Sequence, residues 1–227
     1  MPLEHPRPSL NGSALAGLLA QLSLVDRPTT APSFVEGLAR WLGWKDAIAL
    51  SAVLQAPAPA AAAAATPALL APLEAEFARV RAALGRAIAD PGDTAGEEGH
   101  DFLPFRRRHF QLQQAMEAAL GPLRAQARAT LLKAGRRHPP LARLAALDAV
   151  LADALAPREQ AQLAAMPVLL EKLHARWRLA ASEPLNPAGL AGFRHDMQRL
   201  LQAELDLRLQ PAEGLLDALR AALTDPA

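Results

Sequence analysis

The sequence contains no cysteine and no tyrosine among its 227 residues. The lack of cysteine excludes disulfides, cysteine-ligated zinc, iron–sulfur clusters and thiol catalysis, and it fits a reducing compartment. Aromatic residues make up only 4% of the chain. No segment alternates apolar and polar residues over the length of a strand with β-branched enrichment. We therefore predict an all-α fold, an antiparallel helical bundle with a small N-terminal helical unit.

Charged residues are absent from Ala47 to Leu73, a span longer than the roughly 20 residues of a membrane helix. Pro57, Pro59, Pro67 and Pro72 interrupt this span, and its middle is alanine. Because prolines break helices and alanine is only weakly apolar, we interpret it as an Ala/Pro linker and expect no transmembrane segment. The N-terminus has no basic region typical of a secretory signal, so a cytoplasmic location is expected.

Changes in composition divide the chain into four parts. The prolines of the first residues indicate a disordered tail, and Trp41 and Trp44 are expected to anchor the helical unit that follows. The parts are the tail at 1–12, the N-terminal unit at 13–55, the linker at 56–66 and the bundle at 67–227, which includes an acidic loop at 91–101.

Apolar residues recur at helical spacing throughout the bundle. The cleanest seam is Leu70, Leu73, Phe77, Val80, Leu84 and Ile88, and a second stripe is Leu112, Met116, Leu120, Leu123, Ala127 and Leu131. Gly121 and Pro122 predict a kink in the second stripe. We expect Pro157 and Pro211 to begin new helices, since proline suits a first helical turn better than a helix interior.

A basic segment runs from Arg106 to His138, with eight arginines and lysines against the single acid Glu117. Clustered guanidinium groups suit acidic partners, so the candidate partner-binding residues are Arg106, Arg107, Arg108, Arg124, Arg128, Arg136 and Arg137. One alternative is that these arginines pair within the chain, with Glu97, Glu98 and Asp101 or with the acidic flanking helices. Another is that they bind nucleic acid, which the net charge of +1 and the scarcity of nearby aromatics disfavour.

Two regions carry a family resemblance. The first is Phe34-Val-Glu-Gly-Leu-Ala-Arg-Trp-Leu-Gly-Trp, and the second combines Gly121-Pro-Leu-Arg, Leu141-Ala-Arg-Leu-Ala-Ala-Leu-Asp and Met166-Pro-Val-Leu-Leu-Glu-Lys. These motifs resemble an uncharacterised proteobacterial family, domain of unknown function 3348. Genes of that family often lie beside genes for membrane ion-channel motor components and peptidoglycan-binding proteins. The resemblance implies a cytoplasmic helper of an envelope or ion-driven membrane motor assembly.

Motifs for metal, cofactor or catalytic sites are missing from the sequence. The candidate metal ligands, which are Glu97, Glu98, His100 and Asp101 in the loop and His195 with Asp196 on a helix, lack a second histidine at helical spacing. We predict no metal site, no cofactor and no catalytic residue. The leading hypothesis is a non-enzymatic scaffold or adaptor with a protein partner. A homodimer through the Leu70 to Ile88 seam, a peripheral membrane complex, a nucleic-acid-associated protein and an enzyme without a known motif are the alternatives.

Overall fold

The computed structural model describes residues 14–25, 36, 41–56, 67–92, 101–136, 138–181 and 187–224. Within these ranges the chain is helical and has no strand, which confirms the all-α prediction. The predicted tail, the linker after residue 56 and most of the acidic loop lie outside the described residues. The helices are α1 (Ala14–Gln21), α2 (Trp44–Gln55), α3 (Pro67–Ala89), α4 (Leu103–Ala134), α5 (Pro139–Leu163), α6 (Met166–Ala181) and α7 (Pro187–Thr224).

Helices α3, α4 and α7 pack against one another and form the centre of a helical bundle. Helix α5 lies against α4, and α6 lies against α7. Helix α1 contacts α7, whereas α2 contacts α5, so the two described helices of the expected N-terminal unit pack on different helices of the bundle. Helix α4 contacts α3, α5, α6 and α7, and its side chains therefore have neighbours from most of the chain.

Both predicted apolar stripes are buried. All six residues of the Leu112 to Leu131 stripe are in the core, and so is the α3 seam from Leu73 to Ile88, with Leu70 half-buried against it. The α3 seam packs on α4 and α7 of the same chain. It is therefore an intramolecular interface, because the neighbouring helices already cover its apolar side chains.

Prolines inside helices are the main departure from the predicted boundaries. Helix α5 continues through Pro157 and ends at Leu163, while α7 continues through Pro211, so the predicted helix starts at these two prolines are wrong. Helix α4 likewise runs unbroken through Pro122. An interior proline costs about 3 kcal/mol. Around Pro211 this cost is offset because Leu209, Ala212 and Leu215 are buried on both sides of it.

The three tryptophans have different environments. Trp177 packs on Gly192, where an added Cβ would lie 2.4 Å from the indole ring, and its Nε1–H donates a 3.1 Å hydrogen bond to Asp196 Oδ2. Trp41 lies under the Arg158 guanidinium, with 4.7 Å between Cζ and the ring centroid. Trp44 is 83% exposed, so the expectation that it anchors a core is wrong.

Candidate functional site

The basic residues of α4 fall into two groups, and the first group is used inside the bundle. Arg124 binds Asp148 of α5 through two nitrogens, with Nε 2.9 Å from Oδ2 and Nη2 2.6 Å from Oδ1. Arg128 Nη1 lies 3.4 Å from Oδ2 of the same carboxylate, whose side chain is only 10% exposed. A forked arginine–carboxylate pair fixes geometry as well as charge. These two arginines therefore hold α4 to α5, as the internal-pairing alternative expected.

Arg108 belongs to the internal group as well. Its Nη2 donates hydrogen bonds to the carbonyl oxygens of Ala87 at 2.6 Å and Asp90 at 2.9 Å. These carbonyls end α3, and a cation there complements the negative end of the helix dipole. Gly92 has φ +52, and an added Cβ would lie 3.2 Å from Arg108 Cζ. Arg108 thus caps α3 and packs closely against the turn that follows it.

The second group comprises the exposed arginines. Arg106 and Arg107 are exposed and form no ion pair with any residue in the described ranges. They lie on the first turns of α4 beside Leu103 and Phe110, which are 44% and 59% exposed. We call these four residues the α4 basic face. Arg136, just beyond the end of α4, is also exposed, whereas Arg137 lies outside the described residues.

A buried polar network, which the sequence pattern did not predict, crosses the interface between α4 and α7. Glu204 has no solvent exposure, and its Oε1 accepts hydrogen bonds from Arg208 Nη2 at 2.8 Å and Gln113 Nε2 at 3.1 Å. His109 Nε2 lies 3.6 Å from Oε2, beyond normal hydrogen-bond length but within ion-pair distance. His109 itself is 1% exposed. A signal was present, since both residues stand at apolar-stripe positions, four residues after Phe105 and Leu200.

The surroundings of Glu204 change its acidity. Burial by itself raises the pKa of this carboxyl, because the charged form loses its hydration. Interactions with His109 and Arg208 outweigh that effect, so the pKa of Glu204 lies below its ordinary value. The carboxylate is therefore charged at neutral pH and balanced by the Arg208 guanidinium. In this position it joins α4 to α7.

Of the candidate metal ligands that are described, the two aspartates have structural partners. Asp101 Oδ1 accepts a 3.0 Å hydrogen bond from the Leu103 backbone N–H, and Asp196 accepts the Trp177 hydrogen bond described above. His195 is exposed. Among the described residues no group of three histidines, aspartates or glutamates could hold a metal ion. Glu97, Glu98 and His100 lie outside the described residues.

A small cleft lies beside the Arg108 cap, between the end of α3 and the start of α7. Its volume is about 30 Å³, and Ile88, Phe105, Arg194 and Gln198 contribute to its walls. This volume holds about one or two water molecules. The cleft therefore has no room for an organic ligand.

A family model matches almost the whole chain. The model of the family described as "Protein of unknown function (DUF3348)" matches residues 1–221. The chain belongs to the DUF3348 family. Comparisons of this DUF3348 chain with curated proteins and with solved structures gave no match. None of its described helices is both long enough and apolar enough to cross a membrane.

Proposed function

We propose that this DUF3348 protein is a non-enzymatic helical adaptor that docks a protein partner through the α4 basic face. The observation that carries the proposal is that α4 has both internally bonded arginines and exposed arginines. Arg108, Arg124 and Arg128 bind groups of the same chain, whereas Arg106 and Arg107 stand exposed beside Leu103 and Phe110 without an ion pair in the described part of the chain.

The composition of the α4 basic face supports a protein partner. Arginine and aromatic side chains are enriched where proteins bind one another, since both combine large contact area with directional interactions. Binding is favoured when a partner removes an exposed phenylalanine from water, because burial of its apolar surface lowers the free energy. We place this adaptor in the cytoplasm, as a helper of an envelope or ion-driven membrane motor assembly, which is what the family resemblance implies.

Affinity purification of the tagged full chain from its native cells, followed by mass spectrometry, tests the proposal. The variant R106E/R107E changes two exposed side chains, so its circular dichroism should match that of the wild type. We expect it to lose the proteins that the wild type captures. A matched control, K133E/K172E, makes the same change of charge at two exposed lysines of α4 and α6 and should keep them. Equal capture by all three proteins would refute this docking surface.

A further inference from the structure

The α4 basic face has the shape of an apolar ridge between two cations. Leu103 and Phe110 are seven residues apart, which places them about 20° apart around the helix and about 10 Å apart along it. Arg106 and Arg107 lie on opposite sides of the line that joins them, each within about 60° of it. Both apolar residues and both arginines are exposed. A partner laid along α4 would meet one apolar ridge and a guanidinium on each side.

Charge on this face is of one sign over three turns of α4. Glu117 is the first acid along the helix, seven residues beyond Phe110, which is about 10 Å further on. Asp101, just before the helix, accepts a hydrogen bond from the Leu103 N–H, and among the described residues it forms no ion pair with Arg106 or Arg107. The face therefore presents two arginines that no carboxylate in the described part of the chain pairs with. Its complement is a surface with carboxylates on both sides of apolar residues.

We infer that the α4 basic face binds an acidic amphipathic helix of a partner protein, with the helix axes roughly aligned. Apolar residues at i, i+3, i+4 and i+7 of such a helix would pack on Leu103 and Phe110, since these are also seven residues apart. Glutamates or aspartates beside that stripe would pair with Arg106 and Arg107. This inference rests on the proposed adaptor function and adds the chemistry of its partner.

Lipid and nucleic acid fit the face less well. Two arginines release few counterions on binding phosphates, which gives weak nucleic-acid affinity at physiological salt. Stable membrane anchoring combines a broad apolar helix face with many cations, whereas this face has two apolar side chains. A helical peptide matches both the number of charges and the length of the ridge.

A direct titration with defined peptides tests the inference. The probe is a fluorescein-labelled 15-residue peptide with leucines at helical spacing and glutamates on both sides, and fluorescence anisotropy reports its binding to the full chain. R106E/R107E should weaken binding about tenfold or more, since it replaces two ion pairs by repulsion. Phe110→Ala should weaken it about fivefold, and K133E/K172E should leave it unchanged.

A charge exchange gives the sharpest result. A peptide with lysines in place of the glutamates should bind R106E/R107E better than it binds the wild type. A scrambled acidic peptide that binds as well as the amphipathic one would overturn the inference, because charge alone would then suffice. Sedimentation with phosphatidylserine vesicles, or a mobility shift with duplex DNA, would overturn it if either ligand binds through Arg106 and Arg107 while the peptide does not. If the peptide fails but native capture still depends on these arginines, the adaptor proposal stands and the acidic helix does not.

Discussion

Replacement of Glu204 by leucine should destabilise the bundle strongly. Glu204 has no exposure and accepts hydrogen bonds from Arg208 and Gln113 while His109 lies 3.6 Å away. Leucine fills a similar volume, so the change removes the charge and its hydrogen bonds without a large cavity. Removal of one partner from a buried ion pair costs about 3–5 kcal/mol. For a chain of this size that loss lowers Tm by about 6–20 °C.

Urea unfolding at pH 7, followed by circular dichroism, measures this loss of stability. Glu213→Leu is a matched control on the same helix, because Glu213 also pairs with an arginine, Arg81, at 2.6 Å but both side chains remain partly exposed. The control should cost about 1 kcal/mol or less. A double-mutant cycle with His109→Leu should show coupling of about 0.5–3 kcal/mol with Glu204→Leu. A cost for Glu204→Leu no larger than that of Glu213→Leu would refute the reasoning.

Two further predictions concern pH and the paired arginines. The folded-state pKa of Glu204 lies below its ordinary value of 4.5, so its contribution to stability is present above that value and is lost as the pH falls through the folded pKa. The wild type should therefore lose more stability between pH 6 and about pH 3 than Glu204→Gln in parallel urea titrations. Equal losses in the two proteins would contradict this prediction. R124E/R128E should lower the free energy of unfolding by about 3–5 kcal/mol, because it leaves the Asp148 carboxylate beside two acids. R106E/R107E should change the free energy of unfolding by about 0.5 kcal/mol or less. Similar losses in both variants would contradict the division of α4 into paired and exposed arginines.

The helices and the core could be predicted from the sequence to a large extent. The spacing of apolar residues from Leu112 to Leu131 and from Leu70 to Ile88 depends only on helix geometry, and nearly all of these residues are buried. The helix boundaries were harder to predict. Pro157 and Pro211 lie inside helices, and around Pro211 packing on neighbouring helices offsets the local cost of proline. That packing involves residues far away in the chain, which a local pattern does not contain.

The candidate site was predictable as a segment but not residue by residue. Its charge identified 106–138, yet the pairing of Arg124 with Asp148 depends on how α4 and α5 cross. Arg124 and Asp148 are separated by 24 residues, and no local rule links residues at that distance. The burial of Glu204 and His109 could be predicted from the sequence, since both residues occupy apolar-stripe positions. Their mutual contact, however, joins α4 to α7 and needs the tertiary fold.

In the adaptor proposal, helix α4 carries residues for stability and residues for recognition at different places along its length. Its middle carries Arg124 and Arg128, which bind a nearly buried carboxylate and hold α5 in place. Its first turns carry Arg106 and Arg107, whose charges face solvent. Because distant sites contribute nearly independently to stability, the first turns and the middle of α4 can be changed separately. If the adaptor proposal holds, charge reversal in the first turns should abolish partner capture in a protein that remains folded. Charge reversal in the middle should lower the stability of the fold but leave partner capture intact at temperatures where the protein remains folded.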